Sequence, residues 1–215
     1  MRYTKEKKVF IYKGLSIELH PEVYDPAEDT FLLLDSIEVG KDDAVFEIGT
    51  GCGIIALDCA RKGANVICSD INKKAADLAL HNYEKNKNKI KGDFEVRHGN
   101  LFDVLKMDEV FDIIIFNPPY LPIKRDEKIQ GHEWLDLATD GGRDGLQKTK
   151  SFIREVGQYL KEQGRAYFIF SNLSDRKKLD FVLKKNVFEF KIKKSQRFLN
   201  ETIEVYKIKK KIMKE

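Results

Sequence analysis

The chain has 215 residues, of which 42% are hydrophobic and 34% charged, a balance that supports a packed core and excludes a disordered polyelectrolyte. No run approaches the roughly 18–20 apolar residues of a membrane span, and the opening MRYTKEKKVFIYKG holds no apolar stretch of signal-peptide length, so a cytoplasmic protein without a membrane partner is expected. The net charge of +4 conceals a split: residues 1–175 carry 25 Lys and Arg against 30 Asp and Glu, and residues 176–215 carry 14 against 5.

In chain order, residues 9–19 predict a hairpin around Lys13-Gly14, and 27–37 a helix introduced by Asp25-Pro26. Residues 44–48 read as a glycine-bounded strand and 54–61 as a helix. A second strand follows at 65–69, then a helix at 73–85 with an apolar face of Ala75, Ala76, Leu78, Ala79 and Leu80. Residues 94–96 alternate as an edge strand would. The run 111–116 is almost continuously apolar, the mark of a central parallel strand covered on both faces. Residues 121–146, with Gly131, Gly141, Gly142 and Gly145, read as a long functional loop. A helix at 149–160, a strand at 165–170, a short helix ending at 179–185 and lysine-studded strands near 187–193 and 202–208 complete the chain. This alternation predicts an α/β fold with a doubly wound, mostly parallel sheet. Residues 1–40 form an extension packed on one structural unit, 41–215. Cys52, Cys59 and Cys68 have neither zinc nor disulfide spacing, so they predict buried thiols of a reduced protein and no metal site.

Two segments carry chemistry. Glu47-Ile48-Gly49-Thr50-Gly51-Cys52-Gly53 lies where the first long-sheet strand turns into its helix, where glycine allows a tight turn and close approach of a ligand. Its G-x-G-x-G spacing departs from the dinucleotide pattern, and an acid just before the glycines opposes an anionic ligand group there. Nineteen residues after Gly51, Asp70 can accept from two ribose hydroxyls. An ordinary strand-helix turn is the alternative; glycines and acid together indicate an adenosine-type cofactor.

The second segment is Asn117-Pro118-Pro119-Tyr120. Two prolines force the chain out of the sheet at its carboxyl end, where open α/β sheets bind ligands. The Asn117 side-chain oxygen and the Pro118 carbonyl can each accept one N–H of a planar NH₂ group, and Tyr120 can stack on the flat system that bears it. Such a nitrogen is a poor nucleophile, and two fixed acceptors favour its more positive transition state.

With Tyr24-Asp25-Pro26-Ala27-Glu28-Asp29-Thr30 and Gly141-Gly142-Arg143-Asp144-Gly145, these segments resemble the HemK/PrmC release factor glutamine methyltransferases, class I enzymes that use S-adenosyl-L-methionine. The short chain resembles their archaeal and eukaryotic branch, which lacks the bacterial N-terminal helical domain. The resemblance implies a seven-stranded Rossmann-like sheet. It implies that Thr30, Glu47, Gly49 and Gly51 line the methionine side of the cofactor, that Asp70 holds the ribose, that Asn100 and Leu101 meet adenine, and that Ile71 and Asn117 also contact the cofactor. Asn117, Pro118 and Tyr120 then form the catalytic device, with Pro119 and Leu121 beside the substrate. Many relatives have Asp where this chain has Asn100, whose amide orientation needs a local partner. The implied acceptor is a glutamine of a class-1 peptide release factor, and the alternative is an exocyclic amino group of adenine or guanine in DNA or RNA. Nucleic acid is the less expected partner, because extruding a base needs recognition surface this chain has little room for.

Relatives of this branch also work with a small zinc-binding activator along a sheet edge, for which residues 94–97 are the candidate; an edge blunted by Lys91, Asp93, Glu95 and Arg97 is the alternative. Trp134, with His132 and Glu133, either walls the pocket or anchors a loop. Arg143 either meets the substrate or is solvated. The basic tail, with the expected catalytic residues all before residue 121, reads mainly as solvated lysine.

Overall fold

A computed structural model describes residues 8–122 and 133–211, with only the backbone of Glu133, Leu135 and Asp136. Strands β1 (Val9–Tyr12) and β2 (Leu15–Glu18) form the expected hairpin, whose turn puts Lys13 and Gly14 at φ 46° and 84°. Both values are left-handed, which suits a two-residue turn matched to strand twist. Helix α1 (Glu28–Leu34) follows. It stops short of the expected residue 37 because the Ser36 hydroxyl donates to the Leu32 carbonyl at 2.7 Å and the Ser36 N–H to Leu33.

The remaining elements are β3 (Ala44–Ile48), α2 (Ile54–Arg61), β4 (Asn65–Asp70), α3 (Lys73–Asn86), β5 (Phe94–His98), β6 (Phe111–Phe116), α4 (Glu133–Thr139), α5 (Gln147–Tyr159), β7 (Leu160–Ser171), α6 (Arg176–Lys185), β8 (Phe188–Arg197) and β9 (Thr202–Lys210). Seven strands form one sheet in the order β5-β4-β3-β6-β7-β9-β8, parallel from β5 to β7 and antiparallel at β9 and β8.

Alternation along the strands supplies two cores. Val45, Ile113, Ile115, Tyr167 and Ile169 face α1 and α2, whereas Phe46, Ile114, Phe116, Phe168 and Phe170 face α5 and α6. All ten are nearly or fully inaccessible to solvent, as a sheet covered on both faces requires.

Other expected boundaries shift as well, β8 running on to Arg197 and β9 to Lys210. Strand β7 begins at Leu160, directly after α5, because a register shift opposite Phe111 absorbs residues 161–164 into the strand; a Cβ on Gly164 would lie 2.9 Å from the Phe111 carbonyl. The 121–146 stretch is not wholly a loop, since it contains α4. Gly131 and His132 lie outside the described residues.

The hairpin is held to the sheet domain by polar groups. Asn82 and Asn86, one turn apart on α3, are fully buried. Asn82 accepts from the Glu18 N–H at 2.9 Å and donates to the Glu18 carbonyl at 3.0 Å; Asn86 does the same for Ser16, at 2.8 Å each. The two amides thus substitute for the strand that β2 lacks on that side. Asn82 also donates to the Cys52 carbonyl at 2.9 Å, which ties the hairpin to the glycine turn after β3.

The charge split is partly neutralised within the fold. Lys193 and Lys207 each lie 2.5 Å from Glu38, and Lys194 lies 3.4 Å from Asp35. Hydrogen bonds from Lys193 and Lys207 hold the Glu38 carboxyl down at about 2. Cys52, Cys59 and Cys68 are buried and unpaired. No helix among the described residues is long and apolar enough to cross a membrane.

Candidate active site

Strand order reverses between β3 and β6, and the register pairs Ile48 with both Ser69 and Phe116. Gly49, Asp70 and Asn117 therefore leave the sheet side by side, at the switch point where open α/β sheets bind ligands.

After β3 the chain turns through Gly49, Gly51 and Gly53, with φ of 68°, 57° and 83°. Gly53 is constrained twice, since a Cβ there would also come within 3.0 Å of the Ala79 methyl. As the residue preceding α2, Gly53 offers no capping side chain. Glu47 substitutes for it: its Oε2 accepts from the Ala56 N–H at 3.0 Å and from the Thr50 hydroxyl at 2.7 Å. Burial pushes the Glu47 carboxyl up to about 8 against those two hydrogen bonds.

The ordinary carboxyl value of 4.5 lies below that, so between the two the folded protein holds a proton that the unfolded chain has released. This contribution to stability is fully present below about 4.5 and is lost as pH rises through about 8. The melting temperature of the ligand-free protein is expected to fall over this range relative to Glu47→Gln, which titrates nothing at that position. A difference between the two proteins that stays constant from pH 5 to about 8.5 would refute the assignment.

After β4, Asp70 accepts from the Gly51 N–H at 2.9 Å through one oxygen and from the Asn72 N–H at 2.8 Å through the other. Burial raises its carboxyl above the ordinary value. Each oxygen retains a lone pair for a ligand hydroxyl. The Gly99 N–H donates to the Asp70 carbonyl at 2.9 Å and draws the next loop into place. There Leu101 sits at φ 45°, in the left-handed region. The Asn100 amide N–H donates to Asp103 at 3.4 Å, which supplies the orienting partner and leaves the Asn100 oxygen free to accept.

After β6, the Asn117 amide donates to Asp29 Oδ2 at 3.0 Å, and the Tyr120 hydroxyl donates to the same oxygen at 3.2 Å. Asp29 Oδ1 accepts from the Thr30 N–H at 2.6 Å. Asn117 Oδ1, the other end of the amide, is buried with no hydrogen-bond partner among the described residues. Burial and Asp29 push both the Tyr24 and Tyr120 hydroxyls above their ordinary range, so both remain donors. The backbone of this turn is clasped from outside: Leu121 N–H to Thr139 at 3.1 Å, Gly141 N–H to Leu121 at 2.9 Å, and Ser174 hydroxyl to the Tyr120 carbonyl at 2.9 Å.

One cleft is lined by every residue singled out for cofactor or substrate: Thr30, Glu47, Gly49, Gly51, Asp70, Ile71, Asn100, Leu101, Asn117, Pro118, Pro119, Tyr120 and Leu121. Trp134 also lines it, from α4. Arg143 is exposed and outside the lining. Leu137 lines the cleft as well, and so do Tyr24 and Asp29, two members of the 24–30 segment to which the sequence assigns no individual role in the site. A carboxylate in the first turn of a helix reads as a partner of the helix dipole, so the motif containing Asp29 does not by itself reveal its contact with Asn117 and Tyr120. The acidic groups of the lining are Glu22, Asp29, Glu47 and Asp70 against Lys148; with Glu47 held protonated below about 8 by burial, the other three still outnumber the lysine, a balance suited to a cationic ligand.

A doubly wound sheet with an acidic cleft at its switch point and an NPPY turn beside a ribose-type carboxylate defines a methyltransferase. The chain belongs to the methyltransferase small domain family, which it matches over residues 22–199, and within it to the HemK-type glutamine methyltransferases. It is 43% identical to a putative protein N5-glutamine methyltransferase of Methanocaldococcus jannaschii, over 77% of this chain and 80% of that one. It is 31% identical to the human methyltransferase HEMK2, over 69% and 71%. Among solved structures, it resembles the E. cuniculi Mtq2–Trm112 complex, responsible for methylation of the eRF1 translation termination factor, with a TM-score of 0.64, 23% identity and coverage of 88% of this chain and 99% of that one.

Proposed function

We propose that the protein transfers a methyl group from S-adenosylmethionine to the side-chain amide nitrogen of a glutamine in a class-1 peptide release factor. The observation that carries this reading is the unpartnered, buried Asn117 Oδ1 at the carboxyl end of β6. A buried acceptor without a donor costs about 1–3 kcal/mol, a cost offset when a ligand N–H fills it. The relatives point to the same acceptor, being named as protein-glutamine methyltransferases or, in fission yeast, an eRF1 methyltransferase.

The residues present fit the cofactor. Asp70 has lone pairs for two ribose hydroxyls, the Asn100 oxygen can accept from an adenine amino group, and the acidic lining suits a sulfonium. When bound, S-adenosylmethionine supplies an electrophilic methyl on a cationic sulfur that leaves as a neutral thioether. Thr30, Glu47, Gly49 and Gly51 shape the methionine side; Ile71 and Leu101 flank the nucleoside. Asn117 Oδ1 and the Pro118 carbonyl orient the acceptor NH₂, and Pro119, Tyr120 and Leu121 wall the amide plane. The nitrogen forms its new bond to carbon with its own electron pair, and its proton then leaves to water without a strong base.

We also infer a small zinc-binding activator, seated along β5, which forms one edge of the sheet with its outer side unpaired among the described residues. The test of the main reading is tritiated methyl transfer from S-adenosylmethionine, offered the cognate release factor and total nucleic acid in parallel. Label is expected on a release factor glutamine. Label on nucleic acid with none on an intact release factor would overturn it in favour of a nucleobase amine.

A further inference from the structure

We propose that Asp29 is the positioning residue that sets which end of the Asn117 side chain faces the acceptor, an inference that rests on the amide-methylation reading. An asparagine amide presents an acceptor at one end and two donors at the other, and the two orientations fill almost the same space. Packing therefore cannot select between them; hydrogen bonding must. The chemistry needs the oxygen toward the substrate NH₂, because a donor there would meet another donor.

Asp29 supplies the selection. It is 3% exposed, so its bonds are not diluted by water. Oδ1 is occupied by the Thr30 N–H at 2.6 Å and the Thr30 hydroxyl at 3.2 Å. Oδ2 then faces two donors from the far end of the sheet, the Asn117 amide at 3.0 Å and the Tyr120 hydroxyl at 3.2 Å. A carboxylate has no donor to give, so Asn117 can meet it only through its NH₂, and Asn117 Oδ1 is left as the unpartnered end. The same oxygen tethers Tyr120 by its hydroxyl and so fixes the tilt of the ring beside the acceptor. One carboxylate on helix α1 thereby orients two members of a motif 88 and 91 residues away in sequence.

The variant that isolates this role is Asp29→Asn, which keeps the shape of the side chain. The Thr30 N–H holds the new amide's oxygen, so its NH₂ turns toward Asn117 and Tyr120. The Asn117 amide must then flip, giving its oxygen to position 29 and its NH₂ to the substrate. Turnover is expected to fall by about 10²–10³-fold, the range for losing one preorganised transition-state partner, while cofactor affinity falls by no more than about tenfold through loss of one acidic group from the lining. Adding Asn117→Asp to Asp29→Asn restores one acceptor in each direction, since a carboxylate at 117 accepts from the new NH₂ and still offers an oxygen to the substrate. The double variant is expected to regain at least about tenfold over Asp29→Asn alone. A merely structural role for Asp29 predicts no such rescue.

An independent readout does not depend on which acceptor is used. In the wild-type holoenzyme, the Asn117 side-chain amide protons should exchange slowly with solvent in ¹H–¹⁵N spectra, and Asp29→Asn should abolish that protection. Free exchange in the wild type would overturn the proposal even if the variant failed to fold. Wild-type turnover in Asp29→Asn, or a double variant no faster than the single, would also overturn it. If the wild type methylates no release factor while the protection pattern holds, the acceptor reading fails and the clamp stands.

Discussion

Replacing Asn117 with alanine is expected to lower turnover by about 10³-fold or more, because one of two acceptors aimed at the reacting nitrogen disappears where water cannot substitute for it. Cofactor affinity should stay within about threefold, since Asp70, Asn100 and the glycine turn reach their positions through bonds that bypass Asn117. The cost to stability is limited: alanine removes the unpartnered Oδ1 along with the bond to Asp29, which keeps Tyr120 and Thr30 as partners. Calorimetric titration of the cofactor, run beside single-turnover methyl transfer, separates these effects. Binding and turnover lost together would make Asn117 a structural residue. Turnover preserved would remove the acceptor role altogether.

The sheet was legible because each strand announced itself locally. The run Phe111–Phe116 is apolar and buried on both faces apart from the half-buried Asp112, and the glycine turn and NPPY break the chain where sheet chemistry requires a break. Contacts between distant segments were not legible. The Asn117–Asp29 bond spans 88 residues and carries no periodic signal. The hold of Asn82 and Asn86 on β2 was equally silent, because a polar pair on a helix face ordinarily signals solvent, whereas here each amide completes an unpaired strand. Leu160 shows a third kind of failure. Its apolar character suits the end of α5 as well as the start of β7, and only pairing with Phe111 decides between them. The partner of Asn100 needed side-chain geometry within one loop, three residues on.

The GGRDG motif acquires a physical role from the same geometry, and Gly145 gives its sharpest test. Gly145 sits at φ 70° with its Cα hydrogen turned toward the NPPY segment; an added Cβ would lie 2.6 Å from the Tyr120 carbonyl oxygen and collide with the Ser174 hydroxyl that bonds to that oxygen. The obstruction on one side is backbone, which cannot rotate away. Gly145→Ala must therefore push the turn carrying Tyr120, break its bond to Ser174, or abandon the left-handed conformation. Stability is expected to fall by about 2–4 kcal/mol, the range of strain and overpacking combined. Because Tyr120 is three residues from Asn117, a displacement on the order of 1 Å should also cost about 10²-fold in turnover. Adding Ser174→Ala removes the hydroxyl from the collision but leaves the carbonyl in place, so it should recover only part of the stability and little of the rate. Denaturant melts and single-turnover assays of the two variants decide the matter. Full recovery of both in the double variant would mean that the glycine only makes room for Ser174, and wild-type behaviour of Gly145→Ala would mean that the loop does not buttress the catalytic turn at all.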